Sequence, residues 1–148
     1  MAQLFSLGHT TRMIKSVHDN LLVSYEVHCE RREIRMLTEY HYGSPPFVQT
    51  SVLFTGVEAY YFQHDCFGTI IGDIEEVPAE SILTERSAEF REGYRLSGWP
   101  RFWRDSLDEV RRHLREQATR GFELSSSIGM TGWVLARDMQ MIGGSRVA

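Results

Sequence analysis

The stretch from Phe47 to Val77 reads FVQTSVLFTGVEAYYFQHDCFGTIIGDIEEV, and it decides the fold class. Apolar and polar side chains alternate through its first half, which is the period at which successive residues of a β-strand point to opposite faces. The alternating positions on one face are Val48, Thr50, Val52 and Phe54, followed after Gly56 by Val57, Ala59 and Tyr61. A glycine inside a strand indicates a bulge or a bend. We therefore predict a strand long enough to cross a small domain, with an irregularity at Gly56.

Shorter alternating segments on both sides of this strand predict further antiparallel strands, because antiparallel sheets with one wet face show this pattern. The predicted strands are Val23 to Cys29, Ile34 to Tyr42, Thr69 to Ile74, Phe122 to Ile128 and Trp133 to Ala136. The first eight residues are a further strand candidate.

Between these strands the apolar period changes to that of helices. Ala79, Leu83, Phe90 and Tyr94 fall on one helical face, which predicts a first helix between Pro78 and Gly98. Ser106 and Glu109 form a capping-box pattern at the start of a second helix. The predicted fold class is α+β: an antiparallel β-sheet of about six to seven strands, with two helices inserted before a C-terminal β-hairpin. We expect one domain over residues 1–142 and a flexible tail over residues 143–148.

The composition is that of an ordinary globular chain, with 148 residues, 24% of them charged, and a formal net charge of −4. An acidic balance gives no basic field for nucleic acid, and no stretch approaches the ~20 apolar residues of a membrane span. We expect a cytoplasmic protein without a signal peptide, which binds neither nucleic acid nor membrane and needs no cofactor. Cys29 and Cys66 lack the CxxC spacing of a zinc knuckle and are predicted to be reduced, half-buried thiols.

Two polar segments carry the candidate binding residues. His64, Asp65 and Cys66 are adjacent, and a Cys–His pair supports nucleophilic catalysis where the base reaches the thiol. No third orienting group is identifiable in the sequence, so an exposed loop is the favoured interpretation. The second segment is an acidic cluster at the end of a strand, which is either solvated charge or a surface for a basic partner. The binding candidates are His64, Asp65, Asp73, Glu75 and Glu76. No catalytic residue and no metal site are predicted.

One further segment, Arg101-Phe102-Trp103-Arg104, interleaves basic and aromatic residues. Single-strand nucleic-acid binders combine these residue types, with bases stacked on the rings. The segment is short and the chain is acidic. We therefore expect Phe102 and Trp103 to pack the connection between the two helices.

Three segments resemble sequences of a known group: VLFTGVEAYYF, TIIGDIEEV and FELSSSIGMTGWVLA. The residues that carry the resemblance are Phe54, Gly56, Val57, Tyr60, Phe62, Asp73, Ser126, Ser127, Gly129, Gly132 and Trp133. The group is a loose set of uncharacterised bacterial proteins that includes small β-rich immunity proteins encoded beside polymorphic toxins. The resemblance implies binding to a toxin-like protein partner and brings no catalytic residues.

Three functions remain open from the sequence. The first is a non-enzymatic protein-interaction domain, of the immunity type in its most specific form. The second is a small-molecule-binding domain or an enzyme, with a pocket between sheet and helices near His64 and Asp73. The third is a homo-oligomeric structural protein, such as a homodimer joined through a strand edge or exposed aromatic side chains.

Overall fold

The computed structural model describes residues 16–104 and 106–146, and six strands of this part of the chain form one closed antiparallel barrel. The strands are β1 (Leu21–His28), β2 (Glu33–Tyr40), β3 (Val48–Gln63), β4 (Ile70–Val77), β5 (Arg120–Ile128) and β6 (Thr131–Arg146). Around the barrel their order is β1-β2-β3-β6-β5-β4, and β1 returns to β4 through the pair Leu21 and Ile70. The predicted α+β class with an antiparallel sheet is confirmed. The strand candidate in the first eight residues lies outside the described residues.

Three helices occupy the chain between β4 and β5, where the sequence predicted two. They are α1 (Ala79–Glu85), α2 (Ser87–Ser97) and α3 (Leu107–Glu116). The first predicted helix is divided at Arg86, whose φ of −109° and ψ of 14° end α1 and precede α2. The start of α3 is as predicted, because the Ser106 hydroxyl accepts a hydrogen bond from the Glu109 amide at 3.4 Å.

The inside of the barrel is filled by apolar side chains, and we call this cluster the barrel core. Its members with almost no exposed surface include Ile34, Met36, Val52, Phe54, Ile71, Phe122 and Val134. The rings of Phe54 and Phe122 meet edge to face with centroids 5.5 Å apart. Aromatic rings prefer this edge-to-face arrangement, so the ring geometry stabilises the core in addition to the apolar surface area that it buries.

A second cluster, which we call the helix core, lies between the three helices and the outer face of the barrel. Its buried members are Ala59, Ile82, Leu83, Phe90, Phe102, Trp103, Val110, Leu114, Trp133 and Leu135. Phe102 and Trp103 therefore pack between the helices, as the sequence predicted. Strand β6 separates the two cores, since Trp133 and Leu135 face the helices while Val134 and Ala136 face the barrel interior. A strand covered on both faces has a continuous apolar sequence, which explains the run WVLA.

Strand β3 changes faces at Glu58. Val57 pairs with Ala136 on β6, and the next pair is Ala59 with Leu135, so Glu58 is an extra residue in a β-bulge. Val57 consequently lies in the barrel core and Ala59 in the helix core. The prediction of one shared face for these two residues was wrong, because one extra residue reverses the alternation.

The irregularity predicted at Gly56 lies close to this bulge. Gly56 has a φ of 61°, in the left-handed region that glycine adopts without steric cost. A Cβ at this position would come within 2.8 Å of the Arg137 Cβ on β6. The glycine thus permits both the unusual backbone angle and the close approach of the two strands.

Both cysteines are free and exposed, so the prediction of half-buried thiols was wrong. Cys29 lies in the turn between β1 and β2, and Cys66 lies in the loop between β3 and β4. Each therefore sits where the chain leaves the sheet, outside both cores.

Candidate functional site

The five predicted binding residues lie at three separate places. His64 and Asp65 are in the loop between β3 and β4, where both are exposed. Asp73 and Glu75 are exposed on β4, and Glu76 takes part in a different set of contacts near the end of that strand. The structure therefore does not bring the predicted residues together into one site.

At the first location, the β3–β4 loop, Asp65 makes a hydrogen bond to the barrel. The Tyr25 hydroxyl donates to Asp65 Oδ2 at 2.5 Å and so ties the β3–β4 loop to β1. This hydrogen bond to a carboxylate, with smaller contributions from burial and the negative charge, raises the pKa of Tyr25 to about 12. The contact therefore has a structural role, because it holds the β3–β4 loop against β1.

At the second location, on β4, Asp73 and Glu75 line a small cavity of about 170 Å³. Glu75 lies directly opposite Glu123 of β5, and Trp133 and Arg86 also line the space. Ligand pockets usually measure about 300 to 1,000 Å³, so this cavity is small for an organic ligand. Two carboxylates facing each other across a strand pair are destabilising, and the Arg86 side chain, which also lines the cavity, pairs with Glu89 at 3.3 Å.

At the third location, near the end of β4, Glu76 belongs to a hydrogen-bond network that joins β4, β5 and β6. Arg120 donates to both carboxylate oxygens of Glu76, at 2.6 and 3.0 Å, and to Asp138 Oδ1 at 2.9 Å. The Arg120 hydrogen bonds hold the pKa of Glu76 below its usual range. The bidentate geometry joins three neighbouring strands, which is a structural role.

A much larger cleft, of about 660 Å³, lies between α3 and the turn that joins β1 to β2. We call it the arginine cleft. Its polar lining includes Arg32, Glu58, Arg101, Arg104 and His113. Its less polar lining includes Val27, Tyr60, Trp99, Pro100 and Phe102. A cleft of this size with apolar walls and a few convergent polar groups has the general character of a ligand site.

Glu58 carries the central carboxylate of the arginine cleft. Its side chain is only 6% exposed, and its two oxygens contact nitrogen atoms of two different residues. Arg32 Nη2 donates to Oε2 at 2.7 Å, and His113 Nε2 lies 2.5 Å from Oε1. The bulge in β3 places Glu58 at this position, because a regular strand would have no extra residue between Val57 and Ala59.

Arg32 is fixed by the backbone of β3 as well as by Glu58. Its Nε donates to the Val57 carbonyl at 3.0 Å, and its own carbonyl accepts from the Val57 amide at 3.0 Å. The residue lies in the β1–β2 turn with a φ of 56°, an uncommon conformation for a residue with a side chain. The turn is thus held against the bulge by three hydrogen bonds.

His113 comes from the side of α3 next to its buried stripe, which contains Val110 and Leu114. Its ring stacks on Phe102, with centroids 5.9 Å apart and planes inclined by 13°. Glu58 accepts the Nε2 hydrogen, while Nδ1 has no hydrogen-bond partner among the described residues. A carboxylate that holds one ring nitrogen fixes the tautomer and leaves the other nitrogen for a ligand.

The loop between α2 and α3 supplies two further guanidinium groups. Arg104 Nη1 donates to the carbonyl oxygens of Arg101 and Trp103, at 2.9 and 2.8 Å. Arg101 is exposed, and its side chain has no hydrogen-bond or ion-pair partner within residues 16–104 and 106–146. These two groups give the rim of the cleft positive charge that no carboxylate of the described chain neutralises.

One local pattern in the sequence indicated this cleft, the interleaved segment Arg101-Phe102-Trp103-Arg104. The other polar residues were missed, since Glu58 is 26 positions from Arg32 and 55 positions from His113. A glutamate among the apolar residues of β3 was the one sign that this strand carries a buried carboxylate with a basic partner.

Among the described residues, no group of three or more histidine, cysteine, aspartate and glutamate side chains is placed to hold a metal ion. Every helix in the described ranges is too short and too polar to span a membrane. Comparison with protein-family models, with curated proteins and with solved structures found no significant match to this chain.

Proposed function

We propose that this protein binds a small molecule in the arginine cleft. The observation that carries the proposal is the Glu58 carboxylate, which is almost fully buried in the wall of a 660 Å³ cleft and held between Arg32 and His113. The small-molecule function considered from the sequence is kept in this proposal, but its site moves from His64 and Asp73 to the cleft beside the β3 bulge at Glu58.

Stability alone is a weak reason for this ion-paired group. Removing a carboxylate from water carries a large desolvation cost, and apolar replacements of buried ion pairs are often neutral or stabilising. The pair does hold His113 and Arg32 in fixed orientations beside an open cleft. Preorganised polar groups of this kind reduce the entropy that is lost when a ligand binds.

A fragment screen followed by amide chemical-shift mapping tests the proposal. We expect bound fragments to shift the amide signals of Arg32, Glu58 and His113. The variant His113→Gln keeps a donor for Glu58 but removes the ring, and it should weaken binding by about tenfold. The matched control is His41→Gln, whose ring stacks on Phe47 outside the cleft. Fragments that bind only elsewhere, or equal effects of the two variants, would contradict the proposal.

A second candidate, the protein-interaction domain, is favoured by one exposed hydrophobic site. Phe67 is fully exposed in the β3–β4 loop, and Ile128 is exposed at the neighbouring β5–β6 turn. The two loops are in contact, because a Cβ on Gly129 would lie 2.8 Å from Cys66 Sγ. Exposed aromatic side chains on fixed loops are common anchors of protein interfaces.

The second candidate is tested by Phe67→Ser beside Tyr42→Ser, a control at another exposed aromatic residue. A partner captured by the wild-type protein and by the control, but lost with Phe67→Ser, would support it. If the captured partner is a toxin, the immunity-type form of the proposal is supported. Light scattering identifies the case in which the partner is a second copy of this chain. Equal capture by all three proteins would contradict a role for Phe67.

A further inference from the structure

We infer that the ligand of the arginine cleft is a small organic anion, with its charged group at Arg101 and Arg104 and its apolar part against the cleft wall. This inference rests on the proposed binding function and adds the chemical class of the ligand. It comes from the distribution of paired and unpaired charges around the cleft.

The carboxylates that line the cleft are mostly neutralised by the protein itself. Glu58 is held by Arg32 and His113, and Glu33 pairs with Arg31 at 3.2 Å. Glu30 also lines the cleft and has no ion-pair partner among the described residues. The described carboxylates therefore leave one unpaired negative charge.

The lining also contains two guanidinium groups without a carboxylate partner among the described residues, Arg101 and Arg104, compared with the one unpaired carboxylate of Glu30. Arg104 is held by two neutral carbonyl oxygens, which fix its position without cancelling its charge. Arg101 is without a partner in the described part of the chain. The described lining contains three arginines and three glutamates, and Arg31, which lies outside the lining, offsets the charge of Glu33. The unpaired groups of the lining are therefore two guanidinium groups and one carboxylate. Arginine side chains bind the oxygens of a carboxylate or a phosphate, often through two parallel hydrogen bonds, better than they bind a neutral group.

His113 extends the same pattern. Its Nε2 is engaged by Glu58, so its Nδ1 is the nitrogen left for a ligand. In the protonated ring Nδ1 is a donor and becomes a third group that favours an oxyanion. In the neutral ring it accepts from a hydroxyl or an acid proton of the same ligand.

The wall of the cleft indicates that the anion is organic. Val27, Tyr60, Trp99 and Phe102 line the space, and such side chains add nothing to the binding of a hydrated inorganic ion. A water molecule occupies about 30 Å³ of liquid, so a cleft of 660 Å³ has room for a ring or a branched chain as well as an oxyanion.

The test is a set of matched titrations with four probes that share one ring and differ in charge. They are phenylacetate, phenyl phosphate, phenylacetamide and phenethylammonium, and binding is followed by amide chemical shifts and by calorimetry. We expect either anion to bind at least about tenfold more tightly than the neutral amide, which is the size of one charge-assisted hydrogen bond. Whichever anion binds more tightly identifies the oxyanion as a carboxylate or a phosphate.

Variants at the rim complete the test. Arg101→Gln should remove most of the difference between the anions and the amide, whereas Arg91→Gln, an exposed arginine of α2 outside the cleft lining, should not. If the amide or the ammonium probe binds in the cleft as tightly as the anions, the anion inference is overturned while the binding function survives. If none of the four probes shifts an amide signal of the cleft, both are overturned.

Discussion

Glu58 lies on a strand, its side chain is almost fully buried, and its carboxylate contacts the side chains of Arg32 and His113. Its carboxylate accepts from Arg32 Nη2 at 2.7 Å and faces His113 Nε2 at 2.5 Å. The buried carboxylate therefore links strand β3 to the β1–β2 turn through one of its oxygens and to helix α3 through the other. We expect this residue to matter for both stability and ligand binding.

The variant Glu58→Gln removes the negative charge and leaves Arg32 and His113 facing a neutral amide. We expect the free energy of unfolding to fall by about 2 kcal/mol, because hydrogen bonds to a buried charged acceptor are weakened, although Arg32 itself is 55% exposed. Glu33→Gln is the matched control, because the Glu33 carboxylate is 26% exposed and pairs with a surface arginine. That control should cost less than about 1 kcal/mol. Urea unfolding measures both values, and equal losses would contradict the special role of Glu58.

Tyr25 gives a pH-dependent prediction. Its pKa rises from 10.0 to about 12 in the folded protein, chiefly because its hydroxyl donates to Asp65. The unfolded chain releases this proton near pH 10, so the stabilisation is complete below pH 10 and is lost as the pH rises toward 12.

The variant Asp65→Asn should move the pKa of Tyr25 back toward 10, because the amide carries no charge. Ring chemical shifts of labelled tyrosine measure the titration, with Asp73→Asn as the control at a carboxylate away from Tyr25. An unchanged titration in Asp65→Asn would show that the hydrogen bond is not the cause.

At the scale of elements, the pairing of β3 with β6 depends on Gly132, which lies opposite Phe62 in a regular part of the ladder. A Cβ on Gly132 would lie 2.0 Å from the Tyr61 carbonyl oxygen and 2.9 Å from the Phe62 ring. Backbone atoms cannot move aside without breaking the ladder of hydrogen bonds. The close approach of the two strands therefore requires the absence of a side chain.

We expect Gly132→Ala to lower the free energy of unfolding by about 3 kcal/mol or more, the range of severe overpacking. Gly98→Ala is the matched control, because Gly98 has a φ of 73° but no atom within 4 Å of its would-be Cβ. The control should show only the left-handed strain of about 1 kcal/mol. Thermal and urea unfolding compare the two, and similar losses would mean that strain outweighs the clash.

Helices and strands were predictable where the sequence pattern that specifies them lies within a few residues. Alternation in the sequence indicated β3, and the spacing of Ser106 and Glu109 indicated the start of α3, since both patterns act within a few residues. The break at Arg86 was not predictable, because Leu83 and Phe90 fall on one helical face whether or not the helix is continuous. The bulge at Glu58 was missed for a related reason, since it is defined by the pairing of Val57 and Ala59 with residues of β6 that are far away in the chain.

The whole molecule is organised by strand β6, which both cores share. Trp133 and Val134 are consecutive residues that lie in the helix core and the barrel core respectively. Neither core can lose its packing without exposing one face of the same strand. Closure of the barrel was not visible in the sequence, since it depends on pairs such as Leu21 with Ile70 that are far apart in the chain.

We therefore expect the helices and the barrel to unfold in one cooperative transition. Far-ultraviolet circular dichroism reports the secondary structure, and near-ultraviolet circular dichroism reports the tryptophan packing of the helix core. Their urea midpoints should coincide. The variants Val134→Ala and Leu135→Ala, one in each core, should lower both midpoints together. An early loss of the tryptophan signal alone would mean that the helix core is a separate unit.

The bulge at Glu58 also has a consequence for chain length. Removing this one residue would leave Val57 paired with Ala136 and Ala59 paired with Leu135, because Val57 and Ala59 would become consecutive residues of a regular strand. The side chains from Ala59 to Tyr61 would keep their faces, whereas the carboxylate that contacts Arg32 and His113 would be lost. Related sequences that are one residue shorter between Val57 and Ala59 should therefore keep the barrel and lack the acid of the arginine cleft.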